Sequence, residues 1–368
     1  MKHGPWAHPD GSCPERASAR HDNRRQAGAG ETKHMSSSPR PGFSRRLALL
    51  GATGAAMAWT GATPAIAQGS FPRRPITIVV PIPAGGGTDY AARLIAEPMS
   101  RLLGQPVVVE NRPGGNDVVG LMHVARSQPD GYTLLMGYCG TMAGRAAIGG
   151  TGSVSTADDF VPIGQVSDTP QLFVVHPSVP AATLPEFIAH AKANPGKLTY
   201  ASAGNGSMHH LGTELLKSRT GMDLLHVPYR GTGETISDLV AGRVQFYMNS
   251  PPPLVTLVRD NKVRALCVSS NDRHPGLADI PSATEAGLRD LPLNVWFALY
   301  APKDVPAEIR ARLSEVMEAS LAQPEIQKRA FDAGSLVKFT GPDEVARRLR
   351  AEIASWRNIA EAANIRAD

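Results

Sequence analysis

Residues 81–89 read Pro-Ile-Pro-Ala-Gly-Gly-Gly-Thr-Asp. They follow an apolar run, Ile76 to Val80, and precede a helical pattern, Tyr90 to Leu103. Strand, glycine loop and helix start in that order make a device for holding an anion. Glycines let backbone N–H groups approach a ligand without a Cβ in the way. A helix start adds unpaired donors and the positive end of the helix dipole. Thr88 is read as the helix N-cap, and Asp89 suits the first turn. The same residues would also serve as a plain strand-to-helix turn.

A second loop of the same design is Ser202-Ala203-Gly204-Asn205-Gly206-Ser207, between a strand at 198–201 and a helix from Met208. Ser202, Asn205 and Ser207 bring side-chain donors, and Ser207 is placed to cap the helix. Gly137, Gly140 and Thr141 close a strand at 132–136. Val227-Pro228-Tyr229-Arg230-Gly231-Thr232-Gly233 joins another strand to another helix. Tyr229 supplies a ring wall, and Arg230 can pair with a carboxylate or sit on a solvated face. The loop at 111–116, Asn-Arg-Pro-Gly-Gly-Asn, is read as structural, its donors capping its own helix. Catalytic arrangements are thin. Cys139 with His209 or His210 lacks a third orienting residue, and no G-x-S-x-G elbow occurs. No Cys or His cluster at metal-ligand spacing appears, so no metal or cofactor is expected.

The elements that must position these loops alternate. Strands are expected at 75–80, 106–110, 132–136, 161–166, 171–176, 198–201, 224–227, 244–248, 264–269 and 293–300. Helices are expected at 88–103, 115–127, 183–193, 207–220, 232–241, 306–322, 324–333 and 342–363. Such alternation means an α/β fold with largely parallel sheets. Residues 138–160 lapse into small residues and read as a loop or a poorly formed helix. Two strands almost back to back, through Ser167-Asp168-Thr169-Pro170, suggest a crossing between two domains. One domain then takes 70–170 and 295–368, and the other 171–294. Ligands of open α/β sheets sit at the carboxyl ends of the strands. The two glycine loops would face one another across a cleft.

The leader is separate. Arg45-Arg46, the weakly apolar run Leu47–Thr63 and Ala65-Ile66-Ala67 give residues 35–67 the layout of a twin-arginine signal peptide. The run is short of the ~20 apolar residues of a span. Residues 1–34 fit no export logic, so Met35 is the expected start and 1–34 an upstream extension, disordered or untranslated. Charge agrees with an exported protein that binds no nucleic acid. The chain of 368 residues has 38 Lys and Arg against 33 Asp and Glu, a net +5. Residues 1–67 hold nine of the first and four of the second, which leaves 29 of each. Cys139 and Cys267 could form at most one disulfide, and Cys267 sits in an apolar strand pattern as a small core residue.

The sequence resembles the Bug family, the substrate-binding proteins of tripartite tricarboxylate transporters. The residues that carry this are 81–89, Val109–Gly114, Pro129–Leu135, Ala193–Ser202, Gly204–Ser207, His226–Gly231 and Ile280–Leu288, in family order. The resemblance covers about 71–363. It implies a periplasmic Venus-flytrap protein of two α/β domains, type II-like, with the ligand between them, and the chain is expected to be a monomer. It implies a small carboxylate ligand, held by loop N–H groups, hydroxyls and water, and delivery to the transporter's membrane subunits. Its site maps to Ala84, Gly85, Gly86, Gly87, Thr88 and Asp89, and to Tyr138, Cys139, Gly140 and Thr141. Across the cleft it maps to Ala203, Gly204, Asn205, Gly206 and Ser207, with Tyr229 and Asn249. Two departures stand out: Cys139 replaces a frequent Ser or Thr, and Arg145 adds a charge near the cleft. The other readings are a sensor for a membrane kinase, or a periplasmic enzyme on the same bilobal fold.

Overall fold

The structure is a computed structural model, and it describes residues 71–291 and 293–367. The signal peptide and the upstream extension expected above lie outside the described residues. Short runs of β-branched and aliphatic residues form eleven strands among the described residues. In chain order they are β1 (Ile76–Val80), β2 (Val107–Asn111), β3 (Thr133–Tyr138), β4 (Phe160–Pro170), β5 (Leu172–Val175) and β6 (Leu198–Ser202). They continue with β7 (Leu224–Pro228), β8 (Phe246–Asn249), β9 (Arg264–Val268), β10 (Asn294–Pro302) and β11 (Val337–Thr340). Between them lie α1 (Gly87–Leu103), α2 (Val118–Ala125), α3 (Arg145–Ala147), α4 (Leu184–Ala193) and α5 (Met208–Thr220). They are followed by α6 (Thr232–Val240), α7 (Val255–Arg259), α8 (Ala307–Leu321), α9 (Pro324–Asp332) and α10 (Pro342–Ala362).

The strands make two sheets, one per lobe. The first has the order β11-β4-β10-β3-β1-β2 and the second β7-β6-β8-β5-β9. The expectation of largely parallel sheets is corrected. β1 pairs in parallel with β2 and β3, and β6 with β7 and β8. β10 runs antiparallel to β3 and β4, β11 to β4, and β5 to β8 and β9. The physical reason is the connection. A parallel pair needs a crossover that returns the chain to the same end of the sheet, whereas β4 carries the chain out of the first lobe and β10 carries it back, so the two run in opposite directions. The chain leaves the first sheet at Pro170 and enters the second at Leu172, with Gln171 alone between. It comes back through residues 269–293 into β10, which pairs with β4 from Asn294 opposite Pro170 to Pro302 opposite Phe160.

Local chemistry explains the helix starts. Thr183 and Glu186 form a reciprocal capping box at α4. Ser207 caps α5 by accepting from the His210 N–H, as its position suggested. Thr88 does not cap α1. The cap is Gly86, in extended conformation, and the helix begins one residue earlier than expected. The small-residue stretch after β3 is helical. A wide turn at Gly140–Gly144 runs into α3, and all five of its residues are buried. β11 carried no clear sequence signal because its four residues are only partly covered by α8 and α9. Cys139 and Cys267 are both free, buried thiols.

Candidate functional site

Helix starts from both lobes converge at the cleft floor. A cavity of about 20 Å³ lies there, lined by Gly87 and Thr88 of α1 and by Gly231 and Thr232 at the start of α6. Ala203 and His209 come from the loop and first turn of α5, and Asn249 and Ser250 from the end of β8. Ile82, Tyr138, Val295, Phe297 and Arg230 complete the wall. The first N–H groups of a helix have no intrahelical partner, and its N-terminus carries about half a positive charge. Of the lining residues only Arg230 carries a formal charge, and no carboxylate is among them. The floor is therefore electropositive, and an anion there meets donors from two lobes. A volume of 20 Å³ is room for about one water.

The lobes meet closely around this point, and glycines permit it. A Cβ on Gly87 would lie 2.3 Å from the Ser250 Oγ across the cleft. On Gly231 it would lie 2.8 Å from the Pro83 ring, and on Gly144 2.7 Å from the Gly206 carbonyl. Real Cβ atoms do not tolerate such distances, so these positions fix how far the cleft can close. Adjoining the floor is a wider cavity of about 630 Å³, bounded by Pro83, the 113–117 loop, Arg145 and Glu234. It shares Ala203 and exposed Arg230 with the floor. The 111–116 loop, read as structural from sequence, thus forms part of its wall.

The mapped residues separate into groups. Gly87, Thr88, Tyr138, Ala203 and Asn249 line the floor. Ala84, Gly85 and Gly86 lie in the loop that leads to it. The Asp89 carboxylate turns away and is occupied. Its Oδ2 accepts from the Gly85 N–H at 3.1 Å and from Arg93 Nε at 3.0 Å, and its Oδ1 accepts from Asn111 Nδ2 at 3.1 Å. Burial raises its pKa, but those donors outweigh burial and hold it below the usual value. Cys139 is fully buried behind the floor, and burial pushes its thiol well up. Gly140 and Thr141 begin the buried turn. The Tyr229 hydroxyl donates to Asp238 at 2.8 Å, and burial with that bond raises it to about 12.

Gly204, Asn205, Gly206 and Ser207 are held by a cross-lobe clamp. Arg145 of the first lobe donates from Nη2 to the Ala203 carbonyl at 3.0 Å and from Nη1 to the Asn205 carbonyl at 2.5 Å. Its Nε donates to Asp117 Oδ2 at 2.8 Å, and Thr141 Oγ1 donates to the same oxygen at 2.7 Å. The ion pair is nearly sealed, with side-chain exposures of 3% and 8%. Arg145 thus takes up loop carbonyls with its own donors.

His209 was weighed in the sequence only as a base beside Cys139. It is 5% exposed and lines the floor. Its Nε2 lies 3.2 Å from Asn249 Oδ1, and burial lowers its pKa to about 4. Ser250, Val295 and Phe297 were not singled out. Val295 and Phe297 lie on a legible strand and Ser250 follows one, but all three reach the floor only where the two lobes come together.

The family described as tripartite tricarboxylate transporter family receptor matches residues 91–365. A UPF0065 protein from the tcbD-tcbE intergenic region of Pseudomonas sp. (strain P51) is 37% identical over 305 residues, 82% of this chain and 89% of its own. The chain belongs to this receptor family. As a family receptor it is a solute-binding protein of the periplasmic binding class and not an enzyme. Among the described residues no helix is long and apolar enough to cross a membrane. Two solved structures resemble most of this chain. Rpa4515 of R. palustris, with adipate, has 33% identity and a TM-score of 0.78, covering 81% of this chain and 100% of that one. MatC (Rpa3494) from Rhodopseudomonas palustris, with bound malate, has 32% identity and a TM-score of 0.74, covering 78% and 99%.

Proposed function

We propose that this receptor captures a small carboxylate in the cleft between its lobes and presents it to the membrane subunits of a tripartite transporter. One observation carries the reading: the starts of α1 and α6, with Arg230, converge on a floor whose lining contains no carboxylate. Related structures hold adipate and malate, two acids of this class. One carboxylate group sits at the floor, which widens slightly to admit it. The rest of the solute extends past Ala203 and Arg230 into the outer cavity of about 630 Å³. Gly87, Thr88, Ala203, Tyr138 and Asn249 contact the ligand, and Ala84–Gly86 and Gly204–Ser207 shape the loops that do. The receptor acts as a monomer in the periplasm after signal cleavage.

Closure is the mechanism. Contacts from both lobes are complete only when the cleft is shut, so ligand shifts the receptor toward the closed form. Water leaves the floor as it shuts, which strengthens anion contacts.

A thermal-shift panel tests this with succinate, malate, adipate and citrate against uncharged amides of the same length. A ligand at about 100 times its Kd stabilises by about 2.7 kcal/mol. At least one acid is expected to raise the melting temperature while its amide does not. A shift with amides alone would sink the carboxylate reading.

A further inference from the structure

The proton on His209 is fixed by its surroundings. Asn249 Oδ1 accepts the Ser250 backbone N–H at 2.7 Å. A backbone N–H can only donate, so that atom is the amide oxygen and not the nitrogen. Asn249 Nδ2 agrees, donating to the Tyr247 hydroxyl at 2.9 Å. His209 Nε2, at 3.2 Å from the same oxygen, must therefore carry the hydrogen. In the neutral ring Nδ1 is then a bare acceptor. It is buried, and no protein group among the described residues donates to it. A buried polar atom left unpaired is costly, and native sites rarely keep one without a use. The ring it belongs to lines the floor.

We propose that His209 is a specificity-determining residue, whose Nδ1 accepts a hydrogen bond from the ligand, so that the preferred solute is a carboxylate bearing a hydroxyl or amine proton near its floor-bound end. This rests on the carboxylate reading above and deepens it. A plain carboxylate oxygen would meet the Nδ1 lone pair with its own. It would be tolerated only if the ring took up a proton. The groups around the ring oppose that. Burial holds the ring neutral and outweighs the Asn249 hydrogen bond, which favours the charged ring, and Arg145 of α3 repels a second positive charge. Arg230 adds another cation to the floor. Tyr247, packed at 5.3 Å on β8, and Tyr138 on β3 are phenols kept neutral by burial. No carboxylate lines the floor to favour the imidazolium. A ligand donor satisfies the Nδ1 acceptor with no proton exchange.

The test is titration calorimetry on the full mature chain with matched acids: succinate, malate and aspartate, then butyrate and 3-hydroxybutyrate, then adipate and 3-hydroxyadipate. In the set that fits best, the donor-bearing acid is expected to bind about tenfold or more tightly than its plain parent. Malate against aspartate tells hydroxyl from amine. In His209→Leu that preference falls below about threefold, while His209→Gln, which can present an amide oxygen, keeps part of it. Equal binding of plain and donor-bearing acids by the unmodified receptor overturns the inference, and needs no variant. So does a preference that survives His209→Leu, or plain-acid affinity that falls about tenfold per pH unit from pH 6 to 8, the sign of proton uptake. If no acid binds, the carboxylate reading itself falls, and this inference with it.

Discussion

His209 has a thermodynamic consequence independent of any ligand. Its folded pKa of about 4 lies below the ordinary 6.5. The unfolded chain therefore binds a proton that the folded chain does not, and stability falls as pH drops from the unfolded pKa toward the folded one. Between pH 7 and pH 5 this residue should cost about 2 kcal/mol. Urea unfolding of the receptor and of His209→Gln at both pH values checks it: the gap between the two proteins should shift by that amount. A gap that does not move would mean that the ring is already solvated or protonated in the folded state. His274, also lowered by burial, contributes with the same sign and in both proteins. The sequence offers His209 only as a base beside Cys139, not as a residue of the floor. It stands beside a second histidine, and the partner that fixes its tautomer, Asn249, is 40 residues away.

At the scale of elements, the turn at Gly140–Gly144 with α3 is the part that sequence reading rendered least well. Small residues give weak periodicity, and this turn is helical because it is buried under α10 and against α5. It brings Arg145 across the cleft. A buried ion pair adds little over an apolar pair, but removing one partner strands the other, at about 3–5 kcal/mol. Arg145→Met is expected to lose that much in urea unfolding, since Asp117 keeps only the Thr141 hydroxyl. Adding Asp117→Asn removes the stranded charge and should restore at least about 1 kcal/mol, because asparagine tolerates the left-handed backbone at this position. Strictly additive losses would show that the two side chains do not act as a pair. By contrast, α1 and α5 were legible nearly to the residue. Apolar spacing, Ser207 as cap and left-handed Gly104 and Gly221 as stops are all local signals.

At the scale of the whole molecule, function depends on the two lobes approaching to a set distance. Gly144 tests this without touching either cavity wall. It sits in the first lobe, and a Cβ there would lie 2.7 Å from the Gly206 backbone carbonyl of the second. Its backbone is ordinary helix, so alanine fits its own lobe. Gly144→Ala is expected to weaken carboxylate binding by about tenfold, worth about 1.4 kcal/mol of closure. Small-angle scattering should find the ligand-bound variant more extended than the ligand-bound receptor. Unchanged affinity and size would mean that the lobes bind solute without closing to this contact. The crossing strands are themselves braced. Arg348 of α10 donates to Asp168 on β4 at 2.7 Å, and Glu352 accepts from Arg348 and from Trp296 on β10. One C-terminal helix thus grips both strands that join the lobes.

The sequence by itself determined the alternation of strands and helices, the glycine loops at 84–89 and 203–207, and the family. Those rest on local periodicity, capping and turn chemistry, which act within a few residues. Only the tertiary structure decided which donors share a floor. It drew in α6 through Gly231 and Thr232, turned Asp89 and Tyr229 to other partners, and oriented His209. Those outcomes depend on contacts between residues far apart in sequence, and on how closely two lobes can approach. No local pattern encodes that distance; the glycines that allow it acquire their meaning only when the opposite lobe is in place.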